Sequence, residues 1–171
     1  MATHFNIAGE LTQELLAAGD NTLVSKISLT NTQKVSKCKV DLYIKKQLTG
    51  KFYLLKGVEL PIGATLVYDD IKFSNITGEF GLYIKLTDGA TFTLTGSINV
   101  TGTNANVPGT STLYTSELSV GDEIVVDGET RTIATITNDT TATVTANWGS
   151  DLDDDTSPDC NPTALVDVII N

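Results

Sequence analysis

Apolar and polar residues alternate almost one for one along most of this chain, and turn residues interrupt the alternation about every 8–12 positions. A period of two puts residues i, i+2 and i+4 on one side of an extended backbone, so each run has one greasy and one wet face. In KCKVDLYIKK, Cys38, Val40, Leu42 and Ile44 share one face, and Lys39, Asp41, Tyr43 and Lys45, with Lys37, share the other. TLVSKISLTN sets Leu23, Ser25, Ile27 and Leu29 against Val24, Lys26 and Ser28. FGLYIKL aligns Leu82, Ile84 and Leu86; TFTLTGSINV aligns Phe92, Leu94, Ile98 and Val100, with Gly96 marking a bend or bulge. KFYLLKGVELP and GATLVYDD supply two further runs, and Thr49-Gly50 and Asp88-Gly89 supply turns. Val, Ile and Leu interleaved with Thr suit a pleated, half-buried surface better than a helix. The expected fold is all-β, an antiparallel β-sandwich with a small β-barrel-like insertion before the last strand.

The insertion follows from the C-terminal half. VTGTNANVPGTST (100–112) reads as a linker, after which LSVGDEIVVDGETRTIATITNDTTATVTANW forms three short strands. Asp127-Gly128 is a tight hairpin dipeptide, since both central turn positions want positive φ, and Asn138-Asp139 turns the second hairpin. Three strands this short need STLYTSEL or the parent domain to close a small barrel. GSDLDDDTSPDCNP (149–162) is too polar to pack and reads as a return linker; ALVDVIIN then supplies a solitary strand that must pair with something already built. The expected division is an arm (1–20), a sandwich (21–96 plus 163–171) and an inserted module (97–162) that projects outward from one sheet edge. ELTQELLAAG within the arm has the spacing of a short helix through Leu11, Leu15 and Leu16 stopped by Gly19, too short to be stable alone.

Charge and side-chain chemistry narrow the function classes. The 171 residues carry a formal net charge of −10, partly concentrated at Asp151, Asp153, Asp154, Asp155 and Asp159. Nucleic acid and anionic bilayers repel such a surface, so neither is an expected partner. No apolar run approaches the roughly 20 residues needed to span a bilayer, and the first residues lack the basic and apolar regions of a secretory signal. The expectation is a protein that folds in the compartment where it is made. Cys38 lies on the apolar face of its strand as a small buried hydrophobe. Pairing with Cys160 would need the two Cα atoms within about 7 Å, and a reducing compartment favours free thiols.

The single histidine, His4, sits near the terminus, a poor place for a triad imidazole, and one His with two distant Cys does not make a zinc site. Asp151, Asp153 and Asp155 match the first three positions of an EF-hand loop, but Thr156 and Pro162 stand where Gly and Glu are required; a solvated linker is the default and a loose Ca²⁺ site the alternative. Asp69-Asp70 most simply ends a strand, and no partner carboxylate marks a glycosidase cleft. No phosphate-binding glycine loop occurs, and Lys37, Lys39, Lys45 and Lys46 read as a wet sheet face. No enzymatic activity and no cofactor are expected.

Two segments resemble known proteins. NTLVSKISLTNT, KVDLYIKKQLTGKFYLLKGVELPIGATLVYDD, IKFSNITGEFGLYIKL and the closing VDVIIN (about 21–95 and 164–171) resemble small β-sandwich virion structural proteins of tailed bacteriophages, notably cyanophages. TSELSVGDEIVVDGETRTIATITNDTTATVTANW (about 110–148) resembles a β-module of phage tail, fibre and capsid-associated proteins. The resemblance implies a virion component made in the host cytoplasm, foremost a capsid decoration or cement protein that binds the major capsid protein or other virion proteins in many copies as a homo-oligomer. A neck, tail or baseplate component is the second expectation. In either role the arm residues Phe5, Ile7, Leu11, Leu15 and Leu16 are candidates for lattice contact, with a first strand or helix covering the chain's own sandwich as the equally weighted alternative. A third expectation is a host-glycan-binding module presenting Tyr114 and Trp148, set against the plain reading of Trp148 as core.

Overall fold

The computed structural model describes residues 2–20, 22–46, 50–69, 71, 73–74 and 79–171, excluding the side chains of residues 73, 74, 153 and 154. It divides into two compact units: Met1–Gln33 with Lys37–Asp88 and Ala164–Asn171, and Lys34–Ser36 with Gly89–Thr163. The second unit thus begins earlier than the pattern suggests. TFTLTGSINV reads as one strand, but Gly96 turns the chain at φ 86° and splits it into two short strands that both belong to the second unit.

The first unit is a sandwich of two four-stranded antiparallel sheets. One runs β1 (Thr3–Ala8), β18 (Leu165–Ile170), β4 (Ile27–Asn31) and β7 (Thr65–Tyr68). The other runs β2 (Thr12–Leu16), β9 (Phe80–Thr87), β5 (Cys38–Lys46) and β6 (Lys51–Leu60); β3 (Leu23–Val24) and β8 (Phe73–Ser74) form a short separate pair. Ile7, Ile27, Leu29, Val166, Val168 and Ile170 from the first sheet pack against Leu15, Leu16, Val40, Leu42, Leu82, Ile84 and Leu86 from the second in one cluster. The solitary C-terminal strand finds its partners in the front half of the chain: β18 lies between β1 and β4, with Val168 opposite both Phe5 and Leu29.

Two local expectations are corrected. Residues 2–20 are neither a free arm nor a helix but strands that cover the chain's own sandwich, the alternative expectation, because β1 satisfies its backbone on β18 and β2 on β9. The strand TLVSKISLTN changes face midway: Leu23 is exposed, whereas Val24, Ile27 and Leu29 are buried. The cause is a bulge, in which the amides of Ser25 and Lys26 both donate to the Asn171 carbonyl at 2.8 and 3.1 Å, so two residues oppose one.

The second unit is built on one eight-stranded sheet in the order β10 (Phe92–Thr93), β17 (Asp159–Asn161), β13 (Glu123–Val126), β14 (Glu129–Asn138), β15 (Thr141–Val144), β12 (Asn106–Thr110), β11 (Ser97–Val100) and β16 (Leu152–Asp155). Asp127 and Gly128 sit at φ 47° and 83° between the paired Val126 and Glu129, the two-residue hairpin that their identities call for. The sheet curls back on itself. From β14 to β16 a flat sheet would span about 19 Å, yet the Asp127 amide in the β13–β14 turn donates to Asp155 Oδ2 at 2.8 Å. No ladder joins β10 to β16 among the described residues, so the curl stops short of a closed barrel. STLYTSEL contributes a single helical turn, α1 (Tyr114–Glu117), that drops Tyr114 into the core. The acidic tract is no linker: β16 pairs with β11 through Ile98–Asp155 and Val100–Leu152.

Candidate interaction surface

The outward face of β2-β9-β5-β6 carries the most organised polar surface of the sandwich. Because Val40, Leu42, Leu82, Ile84 and Leu86 point into the core, their strand neighbours point out. Register then assembles rows. Glu14, Tyr83, Tyr43 and Tyr53 stand opposite one another across four strands. One row on, Gly81, Lys45 and Lys51 align; on the other side Lys85 faces Asp41, and beyond it Lys39 lies between Thr87 and Glu59.

The tyrosine row is a continuous packed strip. Tyr43 stacks on Tyr83 at 5.7 Å with an interplanar angle of 13°, and meets Tyr53 tilted at 5.6 Å and 54°. Lys51 Nζ sits 4.4 Å from the Tyr43 ring centroid and Lys56 Nζ 4.9 Å from that of Tyr53. Aromatic pairs of this kind contribute about 0.5–1.5 kcal/mol beyond their burial, and exposed cation–π contacts about 0.5–1 kcal/mol. Tyr83 donates its hydroxyl to Glu14 Oε1 at 2.7 Å, and this bond to a carboxylate holds the phenol pKa above 10.0. Lys37, Lys39 and Lys45 were legible in the sequence as a wet face, whereas Lys51, Lys56, Lys85 and the tyrosine row were not, because their alignment depends on the pairing register of four strands.

The carboxylates of this face are occupied. Asp41 Oδ1 accepts the Gly57 amide at 2.7 Å, and Glu59 takes Lys37 at 3.0 Å. Lys39, Lys45, Lys51, Lys56 and Lys85 form no ion pair with a carboxylate among the described residues. Lys45 and Lys51 stand directly opposite each other, an arrangement in which like charges destabilise a sheet.

In the second unit the acidic side chains hold loops in place. Asp122 is fully buried; its carboxylate accepts the Ser119 amide at 2.7 Å and the Thr163 amide at 2.9 Å, while Cys160 Sγ points at it from 3.9 Å. Asp155 takes the amides of Asp127 and Ser157, Asp151 that of Gly102, and Glu117 the amide and hydroxyl of Thr95. Asp139 accepts from the Thr115 amide and hydroxyl, which lowers its pKa below 3.8. Arg131 is clasped between Glu129, the Asn147 carbonyl and the face of Trp148, 5.7 Å from the ring centroid. This role for the Asp tract differs from the expected solvated linker, since Asp151 and Asp155 cap backbone amides; the side chains of Asp153 and Asp154 lie outside the described residues.

The remaining sequence candidates resolve individually. Ile7, Leu15 and Leu16 are buried in the sandwich, so these three are unavailable for lattice contact; Phe5 packs against the core but is only half-buried, and Leu11 is exposed, at 59%. Tyr114 and Trp148 are at most 1% exposed and belong to the second core, where Trp148 Nε1 donates to the Asn106 carbonyl at 3.0 Å. Neither ring can serve as an outward sugar platform. Cys38 and Cys160 are free, buried thiols. Burial, helped by Asp88, lifts the Cys38 pKa to about 11, and burial beside Asp122 lifts that of Cys160 as well, so both stay protonated and unreactive near neutrality. His4 lies on β1 with Asn6 and Asp167 around a shallow depression of about 370 Å³. Asp70 lies outside the described residues, and no group of three metal-ligating side chains converges among those described. Among the described residues no helix is long and apolar enough to cross a membrane.

No protein-family model and no curated protein matches the chain.

Proposed function

We propose that the chain is a non-catalytic structural component of a tailed-phage virion, a decoration protein bound in many copies to the outer shell. The observation that carries this reading is the use to which its ionisable side chains are put. Asp122, Asp155, Asp151, Glu117 and Asp139 are each committed to backbone amides of their own unit, and both thiols are held protonated. Groups fixed in this way make a rigid scaffold and leave the flat outer sheet faces as the working surfaces. The resemblance of 21–95, 164–171 and 110–148 to virion β-proteins points the same way.

The partner in this reading is the major capsid protein, and the docking chemistry is that of a β-face, not of an apolar arm. Purified virions of the phage encoding the chain, labelled with antibody and gold, test it. Label distributed over the whole shell is expected. Label confined to one vertex would replace decoration with a neck or tail role, and absence from the particle would end the virion reading.

A further inference from the structure

Charge is divided unevenly between the two parts of the chain. Residues 89–163 hold eleven carboxylates and a single arginine, whereas the rest of the chain holds ten carboxylates and all ten lysines. The arginine is already spent on Glu129 and Trp148. Hydrogen bonds from neutral amides fix Glu117, Asp122, Asp139, Asp151 and Asp155 in place without cancelling their charge. Glu123 and Asp159 lie on the adjacent strands β13 and β17, on the face opposite the buried Ile124 and Cys160.

The sandwich presents the complement. Lys39, Lys45, Lys51, Lys56 and Lys85 share the outward face of β2-β9-β5-β6, and its carboxylates are occupied by Tyr83, Gly57 and Lys37. The opposed Lys45 and Lys51 form no ion pair among the described residues. The Tyr43–Tyr83–Tyr53 strip gives this face a stiff, partly apolar middle between cationic rows.

We infer that the lysine–tyrosine face of one copy binds the acidic 89–163 unit of a second copy, giving head-to-tail association. Each copy then offers one basic face and one acidic unit, so the contact is heterologous and propagates unless the rotation closes a ring. The inference concerns purified protein and does not depend on the virion reading.

Salt gives a discriminating test, because the chain as a whole carries −10 and general repulsion between copies is strongest at low salt. Non-specific association of such a chain strengthens as salt is added, whereas a complementary contact weakens. Sedimentation of the full chain at ~20 mM and ~500 mM NaCl should show oligomers at the lower concentration and monomers at the higher, with affinity changing at least about tenfold. Reversing the face (K45E/K51E/K85E) or the acidic unit (E123K/D159K) should leave each variant monomeric at low salt, and mixing the two should restore association. Thermal melting confirms that each variant is folded, as the altered side chains lie on outward faces. A wild-type chain that is monomeric at low salt, association that grows with salt, or a mixture that stays monomeric would each overturn the inference.

Discussion

The two units put their main aromatic clusters on opposite sides of their sheets. In the sandwich Tyr43, Tyr53 and Tyr83 lie on an outer face while Val, Leu and Ile from two sheets fill the space between. In the second unit Trp148 and Tyr114 lie inside, among Ile98, Val107, Leu118, Ile124 and Val126. Two long-stranded sheets bring enough aliphatic surface to close a core on their own. One curled sheet of short strands does not, so it fills its centre with large rings and ties its loops down with carboxylates. Its stability should accordingly be concentrated in a few side chains, while that of the sandwich is spread over many.

The largest expected effect tests that concentration. Trp148→Ala removes the largest buried side chain, its bond to the Asn106 carbonyl and the platform under Arg131. The loss should be about 3–5 kcal/mol, enough to unfold the second unit. Hydrogen exchange followed segment by segment should show protection lost across 89–163 and kept in β4, β5, β9 and β18. Equal loss in those four strands would mean that the chain unfolds as one body and that the comparison is drawn too sharply.

Glycine replacements sharpen it next. At Gly96, with φ 86°, a Cβ would lie 2.4 Å from the Thr110 carbonyl oxygen, whereas at Gly57, with φ 60°, it would meet nothing within 4 Å. Gly57→Ala in the sandwich should therefore cost about 1 kcal/mol, from backbone conformation alone. Gly96→Ala in the second unit adds a backbone collision and should cost about 3 kcal/mol. Urea denaturation of both variants measures the difference, and near-equal values would show that the loops of the second unit give way as readily as an exposed bulge.

These contrasts also explain what could be read from the sequence. Strand β5 was legible because Cys38, Val40 and Leu42 alternate with polar residues, and the bulges of its ladder with β6 fall on β6. Strand β2 was not, since Leu11, Leu15 and Leu16 have helical spacing, and only pairing with β9, with a bulge between Glu14 and Leu16, decides for strand. Leu23 was misplaced by a bulge whose cause, the Asn171 carbonyl, lies 146 residues away from Ser25. The acidic tract looked like solvent-facing linker because composition does not reveal which backbone amides a carboxylate will reach. Tyr114 and Trp148 were offered as an outer surface because a curled sheet with too few aliphatic residues has no signature in a linear pattern.

A smaller effect is expected at the Arg131 clasp. Arg131→Ala strips the charged partner from Glu129 and the donor from the Asn147 carbonyl, for a loss of about 2 kcal/mol in the second unit. Arg131→Lys should recover little, because a point charge cannot reproduce the planar fork that engages both groups and the indole face. Full recovery by Lys would show that charge alone holds the clasp. At Asp139 the effect depends on pH. Its folded pKa is depressed by Thr115, so its contribution is present above its ordinary value of 3.8 and is lost as pH falls through the lower folded value. Asp139→Asn should therefore lower the melting temperature of the second unit at pH 7 and make little difference once the pH is below the folded value. A gap between variant and wild type that persists in acid would assign the role of Asp139 to shape and not to charge.

The smallest expected change comes from the most buried phenol. Tyr114 is wholly enclosed, and among the described residues its hydroxyl has no well-formed hydrogen bond. The neighbouring Thr112 hydroxyl donates instead to the Asp139 carbonyl, and Gly109 packs so closely that a Cβ there would lie 2.7 Å from the Tyr114 oxygen. Burial pushes the phenol pKa up, and the Thr112 hydroxyl beside it offsets only part of that rise. An unpartnered buried hydroxyl has already lost its water without gaining a bond, so removing it recovers that desolvation cost and leaves a void of a single oxygen atom. Tyr114→Phe should shift stability by no more than about 0.5 kcal/mol, and toward higher stability if the void closes. Trp148→Ala and Tyr114→Phe thus bracket the second core: its rings act by volume, and only the indole N–H adds a bond. Destabilisation of about 2 kcal/mol by Tyr114→Phe would mean instead that the phenol oxygen, like the buried carboxylate of Asp122, is a tie in this unit.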